Sequence, residues 1–210
     1  LLESATDFLL DAEIDEAGPP IGLFWNGLEG LEGSWSGDHA SRDTIHGRHL
    51  NTSQVIRTAL HLARAATMDG KVLDDKRRTT ALGAASRTLR FLKIFFEAEC
   101  RIPEYLTIWG TDVPNCLTDA LPDCLYPGID NRYGGDVRIY ALAARLALEL
   151  GDTTFAHALI ERHILPDRIQ DPSDPFYGQF GVSSTPPCDA DARAVLEAVL
   201  TLCLEARAGH

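Results

Sequence analysis

The apolar residues of this chain recur at helical spacing, most clearly in the stretch 131–164. Residues 137–150 are apolar over most of a helix circumference, which predicts a helix buried on more than one side. Gly151 supplies a C′ residue for that helix, and Asp152 supplies an N-cap for the next one. The second helix carries a narrower apolar stripe, made of Phe155, Ala156, Leu159 and Ile160. The stretch therefore predicts an inner helix that turns tightly into an amphipathic outer helix.

Helical periods predict four further helices, over residues 6–14, 52–67, 74–100 and 190–207. The residues that the first helix turns inward are Phe8, Leu9 and Ala12. Those that the helix over 52–67 turns inward are Val55, Ile56, Ala59, Leu60, Leu62 and Ala63. Those that the last helix turns inward are Val195, Leu196, Val199, Leu200 and Leu204. Each helix thus has an apolar face that must pack against another element.

Prolines and glycines interrupt the remaining segments, 21–48, 102–129 and 165–187, which predicts long irregular loops. Within the second loop, residues 104–109 favour a turn or two of helix. No segment has a convincing strand pattern, and the predicted fold class is all-α.

Composition and charge narrow the classes of partner. The 210 residues are enough for one sizeable core, and we predict a single domain over 1–210. A net charge of −12 disfavours a nucleic-acid partner or an anionic membrane surface, because both require a basic face. No apolar run approaches the roughly 20 residues of a membrane-spanning helix. The compartment stays open, with the cytoplasm favoured.

The five cysteines include no C-x-x-C pair. Cys203 lies on the apolar face of the last predicted helix, which favours a small core residue. No cluster has the ligand spacing of a standard zinc site, so we predict no metal and no cofactor.

Three units of the chain share one organisation. Segments 31–65, 129–150 and 176–206 each join a loop rich in aromatic residues and glycine to a capped apolar helix. Helical hairpins in series, with their loops gathered at one end, predict an α/α toroid or a partial (α/α) barrel. The chain would then be one part of a larger toroid, or a homo-oligomer would complete the ring, because an open arc leaves apolar surface exposed.

Three short motifs resemble those of the α/α-toroid superfamily of terpenoid cyclases and protein prenyltransferases. They are EGSW at 32–35, GGDVR at 134–138 with Tyr140, and DAD at 189–191. The last is similar to the D-x-D-D motif of class II terpene cyclases, although Ala192 stands where the fourth acid would be. The resemblance implies a cyclase-like isomerase or lyase that acts on an isoprenoid by carboxylic-acid protonation.

By this resemblance, Asp191 or Asp189 is the general acid, and Asp136 is a third candidate at the entry of an inner helix. The aromatic residues expected to stabilise a carbocation are Trp35, Tyr133, Tyr140 and Phe180. Asp38 and His39 lie in a polar loop and are predicted to contact the substrate. The plainer alternative is that all three aspartates are helix caps or first-turn acids, and that the loop is simply solvated.

Two other functions remain open. A carbohydrate-active toroid, either a glycoside hydrolase or a polysaccharide lyase, would use aromatic and acidic loop residues to stack on sugars and cleave them. The residues that suit this role are Trp25, Trp35, Asp38, His39, Trp109 and Tyr133. A non-catalytic helical-repeat binding domain is the third reading, and it would show no strongly perturbed carboxylate.

Overall fold

The fold is known from a computed structural model. It describes residues 2–13, 22–24, 27–29, 34–36, 48–68, 73–99, 101–102, 105–108, 137–166, 170–173, 196, 199–204 and 206–207. The chain divides into two compact units, residues 1–132 and residues 133–210. The prediction of one domain over 1–210 stays a prediction, and the two units are described separately.

The described residues of the first unit form three helices: α1 (Leu2–Asp11), α2 (Thr52–Thr67) and α3 (Asp75–Glu99). The helices α2 and α3 pack against each other and supply most of the buried apolar side chains. Every residue predicted to face inward on α2 is buried: Val55, Ile56, Ala59, Leu60, Leu62 and Ala63. On α3 the buried residues of the first half are small, Ala81, Ala84 and Ala85, and larger ones follow, among them Leu89, Leu92 and Phe96.

Polar side chains at the N-termini of α2 and α3 explain where these helices begin. The side chain of Asn51 accepts hydrogen bonds from the Gln54 amide at 3.3 Å and from Ser53 Oγ at 2.7 Å. Asp74 Oδ1 likewise accepts from the Arg77 amide at 2.8 Å. Both side chains satisfy first-turn N–H groups that lack a partner within the helix. The predicted bounds of α2 and α3 are therefore correct to within a residue.

Helix α1 differs from the prediction. It begins at Leu2 and ends at Asp11, rather than running over 6–14, and Phe8 is 53% exposed instead of facing inward. The helix stops because Glu13 leaves it to form an antiparallel bridge with Phe24. The buried positions of this segment are Thr6, Ala12 and Glu13, of which only Ala12 belongs to the predicted apolar face.

Among the described residues, four short strands form two antiparallel pairs, which the sequence pattern did not indicate. The strand β1 (Gly27–Glu29) pairs with β2 (Ser34–Ser36), and β3 (Arg48–Asn51) pairs with β4 (Tyr105–Ile108). The helical turns predicted within 104–109 were wrong, since β4 occupies that segment. Tyr105, Thr107 and Ile108 are residue types that favour strands, but the partner of β4 lies more than fifty residues away in sequence.

The second unit begins with the predicted helical hairpin. Its inner helix α4 (Val137–Glu149) has ten buried residues out of thirteen, which confirms that it is buried on more than one side. The turn after it is a Schellman motif: the Gly151 amide donates to Leu148 O, and the Asp152 amide donates to Ala147 O. Gly151 has a φ of +80°, as a C′ residue in this motif requires.

The outer helix of the hairpin is α5 (Thr153–Leu159), capped by Asp152 Oδ1, which accepts from the Phe155 amide at 3.1 Å. The predicted apolar stripe of this helix is buried. Beyond Leu159 the chain widens into a π-helical segment (Ile160–Ile164), closed by a hydrogen bond from the Leu165 amide to Ile160 O at 2.9 Å. A π-helical turn is rare and occurs often at functional sites.

Helical residues 196, 199–204 and 206–207, which we call α6, correct a prediction. Four of the five side chains predicted to face inward are exposed: Leu196 by 57%, Val199 by 42%, Leu200 by 42% and Leu204 by 39%. The fifth, Val195, lies outside the described residues. Cys203, predicted to be a core residue, is an exposed thiol outside any disulfide. The buried residue is Thr201, whose hydroxyl donates to Ala141 O at 3.0 Å. Residues are about 100° apart around a helix, so this bond turns the apolar stripe outward.

The described part of the chain is mostly helical, as predicted. Two pairs of consecutive helices, α2 with α3 and α4 with α5, pack against each other as helical hairpins would. The arrangement of such hairpins in a toroid stays a prediction.

Candidate functional site

An aromatic stack lies at the end of the second unit where α4 begins. The rings of Tyr140 and His163 have centroids 4.0 Å apart and planes inclined by 6°. Tyr140 is 5% exposed, and His163 is half-buried. The imidazole therefore covers one face of a tyrosine ring that is almost wholly enclosed by protein.

The hairpin geometry explains why these two residues meet. Helix α4 and helix α5 are joined by a three-residue turn, so they run antiparallel and their far ends lie side by side. Tyr140 is in the first turn of α4, and His163 is in the π-helical segment that follows α5. Tyr140 is among the residues predicted from the sequence, whereas His163 is not. The one signal for His163 is its place near the end of the predicted outer helix.

Two arginines interrupt the apolar surface of α4. Arg138 and Arg145 are seven residues apart and share one side of the helix. Arg138 is half-buried, Arg145 is buried, and the Nε atom of each is enclosed. Both side chains interact with other groups. A guanidinium in an apolar setting is costly unless it is paired, so these interactions offset the cost of enclosing the two side chains.

Helix α6 meets α4 one residue beyond Tyr140. Thr201 is fully buried, and its hydroxyl donates to the Ala141 carbonyl. That bond fixes α6 against α4 at the residue after Tyr140, and the π-helical segment brings His163 onto the Tyr140 ring. This end of the hairpin is the candidate site.

Most of the predicted site residues lie outside the described residues. They are Asp191, Asp189, Asp136, Tyr133, Phe180, Asp38 and His39, together with Trp25 and Trp109. Trp35 is described only as a backbone position of β2, paired with Leu28 in β1. Tyr140 is the one predicted site residue whose side chain is described. For the other residues, the predicted roles as acid, helix cap or substrate contact stay predictions.

The first unit holds a buried carboxylate that the sequence did not reveal. The side chain of Glu13 is 4% exposed. Its Oε1 accepts from the Gly22 amide at 2.8 Å and from Arg87 Nε at 2.8 Å, and its Oε2 accepts from the terminal guanidinium nitrogen at 2.7 Å. Three donors surround this carboxylate, two of them from Arg87 in a bidentate pair, so the cluster ties the N-terminal segment to α3.

The described residues contain neither a metal-binding cluster nor a membrane-spanning helix. No group of three or more His, Cys, Asp or Glu side chains there is arranged to hold a metal ion. Nor does the described part of the chain contain a helix with the length and apolar character needed to cross a membrane.

Comparisons of the chain with models of known protein families, with characterised proteins and with solved structures found no match. The resemblance to terpenoid cyclases and protein prenyltransferases therefore rests on the three sequence motifs alone.

Proposed function

We propose that the protein is a terpene-cyclase-like enzyme of the α/α-toroid type that acts on an isoprenoid by carboxylic-acid protonation. The observation that carries the proposal is Tyr140, a buried aromatic ring in the first turn of a helix that is itself buried. In the predicted toroid, the N-terminal turns of the inner helices face the substrate cavity. Tyr140 would line that cavity.

The proposed reaction begins with the acid, Asp191 or Asp189. The carboxyl group gives its proton to one carbon of a terminal C=C bond, whose π electrons form the new C–H bond. Positive charge then lies on the other carbon, and a second double bond attacks it to close a ring. A base finally removes a proton, so the product is an isomer of the substrate.

The side chains around Tyr140 suit the remaining demands of this chemistry. An aromatic face within about 6 Å of a cation attracts it through the ring quadrupole. His163 covers one face of the ring and Tyr140 is 5% exposed, so the substrate would have to displace the groups that enclose the opposite face. Arg138 and Arg145 add positive charge to the same helix, which favours an isoprenoid that carries a diphosphate group.

The decisive experiment is conversion of linear isoprenoid diphosphates, with products separated by chromatography and weighed by mass spectrometry. We expect a product of unchanged mass and altered retention. Asp191→Asn or Asp189→Asn should lower turnover at least about 100-fold, since removing a general acid has effects of that size. Asp171→Asn is the matched control, because Asp171 is exposed and hydrogen-bonded to Ser173.

The result also separates the alternatives. Unchanged turnover in both Asp191→Asn and Asp189→Asn would remove these residues as the acid. If the wild-type protein converts no isoprenoid but releases reducing ends from polysaccharides, the carbohydrate-active alternative replaces the proposal. Absence of both activities would favour the binding domain.

A second experiment tests the site itself. Tyr140→Phe keeps the aromatic face and should keep most of the activity, whereas Tyr140→Leu should lower turnover about ten-fold through loss of the cation–π contact. Phe155→Leu is the control, because it removes another buried ring from the same hairpin. Equal losses in Tyr140→Leu and Phe155→Leu would reduce Tyr140 to a packing role.

The proposal includes a homo-oligomer, and the apolar stripe of α6 supports it. Four large apolar side chains lie exposed on one side of this helix, which is a surface that monomers seldom keep. We expect Leu204→Glu to lower the mass measured by light scattering. Leu165→Glu should not, although Leu165 is 39% exposed, as Leu204 is. A wild-type protein that scatters as a monomer at high concentration would contradict the oligomer.

A further inference from the structure

Helix α1 contacts α2 and α3 with few buried side chains. Of its ten residues only Thr6 is buried, whereas α2 buries nine of sixteen. Phe8, its largest side chain, is 53% exposed. An element with so little apolar burial gains little hydrophobic stabilisation from docking, so its other contacts decide whether it stays in place.

The first of these contacts is a cluster around Arg77, near the start of α3. The guanidinium binds Asp7 of α1 through two parallel hydrogen bonds, of 2.8 Å from Nε and 2.9 Å from the second terminal nitrogen. It also binds Asp74, and Glu3 lies 3.9 Å away. All four side chains are between about a third and a half exposed, so water and salt reach the whole cluster.

The second contact lies beyond the other end of α1, and it is of a different kind. Glu13 is enclosed, and Arg87 of α3 holds it in a bidentate pair. The Gly22 amide and the bridge to Phe24 tie the same residue to the backbone. The Glu13 carboxylate is shielded from solvent, so salt screens its ion pair with Arg87 only weakly.

From this asymmetry we propose that α1 is a salt-sensitive strap: it swings away from α2 and α3 at its Asp7 end and stays hinged at Glu13. Dissolved salt screens the Arg77 cluster and shifts the strap toward the open state. The surface of α2 and α3 that α1 covers is then exposed. The device is independent of the proposed enzymatic function, since it involves none of the predicted site residues.

Hydrogen–deuterium exchange of the full chain tests the strap, at about 0.05 M and about 0.5 M salt. We expect the amides of α1 to exchange about two- to five-fold faster at the higher salt, the range that exposed ion pairs allow. Amides of α2 and those of Glu13 and Phe24 should be unaffected. Simultaneous loss of protection at Glu13 and in α1 would overturn the hinge.

A pair of variants separates the ion pairs from general charge effects. Arg77→Gln should raise the exchange of α1 at low salt and abolish its response to added salt. Lys76→Gln removes the same charge from the adjacent, exposed position and should leave α1 unchanged. If the two variants behave alike, or if salt does not alter α1 in the wild-type protein, the strap does not exist.

Discussion

Two arginines of α3 bind carboxylates of the same N-terminal segment, and the two pairs differ in how far the carboxylate is exposed to solvent. Arg77 pairs with Asp7 and Arg87 pairs with Glu13, partners that lie 70 and 74 residues away in sequence. The two guanidiniums are equally accessible, with 34% and 35% of each side chain exposed. The carboxylates are not: Asp7 is 50% exposed and Glu13 is 4% exposed.

The difference shows that burial of the acid, not the length of the hydrogen bonds, decides how much each pair matters. An exposed carboxylate returns to water when its partner is removed, so little is lost. A buried carboxylate that loses its partner is left uncompensated, which is strongly destabilising. We therefore expect the Glu13 cluster to determine whether the first unit folds, and the Arg77 cluster to determine only how firmly α1 is held.

The largest effect should come from Gly22→Ala, which attacks the backbone beside Glu13. Gly22 has a φ of +78°, and a Cβ there would lie 2.4 Å from the Thr88 amide nitrogen and 2.6 Å from the Arg87 carbonyl carbon. Strain and overpacking together should cost about 4 kcal/mol. Urea unfolding followed by tryptophan fluorescence measures this, since all three tryptophans belong to the first unit.

Gly151→Ala is the matched control for that substitution. Its φ is +80°, but no atom lies within 4 Å of the added Cβ. It should therefore cost only the left-handed strain, about 1 kcal/mol. Its effect belongs to the second unit, so circular dichroism or hydrogen exchange must report it. Equal costs at the two glycines would show that the backbone of α3 yields to the Cβ at Gly22.

The next largest effect should come from Arg87→Met, which leaves Glu13 buried without its cation. We expect the free energy of unfolding of the first unit to fall by about 3 kcal/mol, at the low end for a broken buried pair because Arg87 is itself partly exposed. Arg90→Met, at an exposed position of the same helix, should change it by less than about 0.5 kcal/mol. A loss at Arg87 no larger than at Arg90 would refute the comparison.

The parts of the fold that could be predicted are those fixed by residues close in sequence. The turn at Gly151 and Asp152, the cap at Asn51 and the buried circumference of α4 all follow from neighbours within one or two helical turns. The strand β4, by contrast, depends on β3, and Glu13 depends on Arg87. The periodicity of apolar residues does not indicate a partner that lies fifty or more residues away in sequence.

The α6 stripe shows a subtler limit. Its apolar period is as regular as that of α5, and the prediction that it faces inward was reasonable. A single buried hydroxyl, Thr201, nevertheless sets which side meets α4. At the candidate site, Tyr140 could be selected because its motif placed it in the first turn of an inner helix. His163 could not, because its contact depends on the π-helical widening after Leu159.

A smaller effect should follow from Thr88→Val, which keeps the shape of the Glu13 cluster but removes one donor. The Thr88 hydroxyl is buried and donates to Gly22 O at 2.5 Å. Without it the Gly22 carbonyl loses a partner away from water, at a cost of about 1.5 kcal/mol. Thr79→Val is the control, since its hydroxyl donates to Asp75 O at an exposed position of the same helix. Loss of stability at Thr79 alone would contradict the ranking.

The smallest effect should be the pH dependence of the stability that the Arg77 cluster contributes. It tests this exposed cluster separately from the Glu13 cluster. Hydrogen bonds from Arg77 hold the pKa of Asp7 and that of Asp74 below the ordinary aspartate value. A lowered pKa in the folded state means that the stabilisation is complete above the unfolded value of about 3.9 and is lost as the pH falls through the folded values. The difference in urea midpoint between the wild-type protein and Arg77→Gln should therefore be constant from about pH 7 to about pH 5 and shrink below about pH 4.

Asp171→Asn should leave that difference unchanged, because the lowered pKa of Asp171 comes from Ser173 and not from Arg77. A difference that persists unchanged at about pH 3, or grows there, would show that Arg77 acts through packing and not through its aspartates.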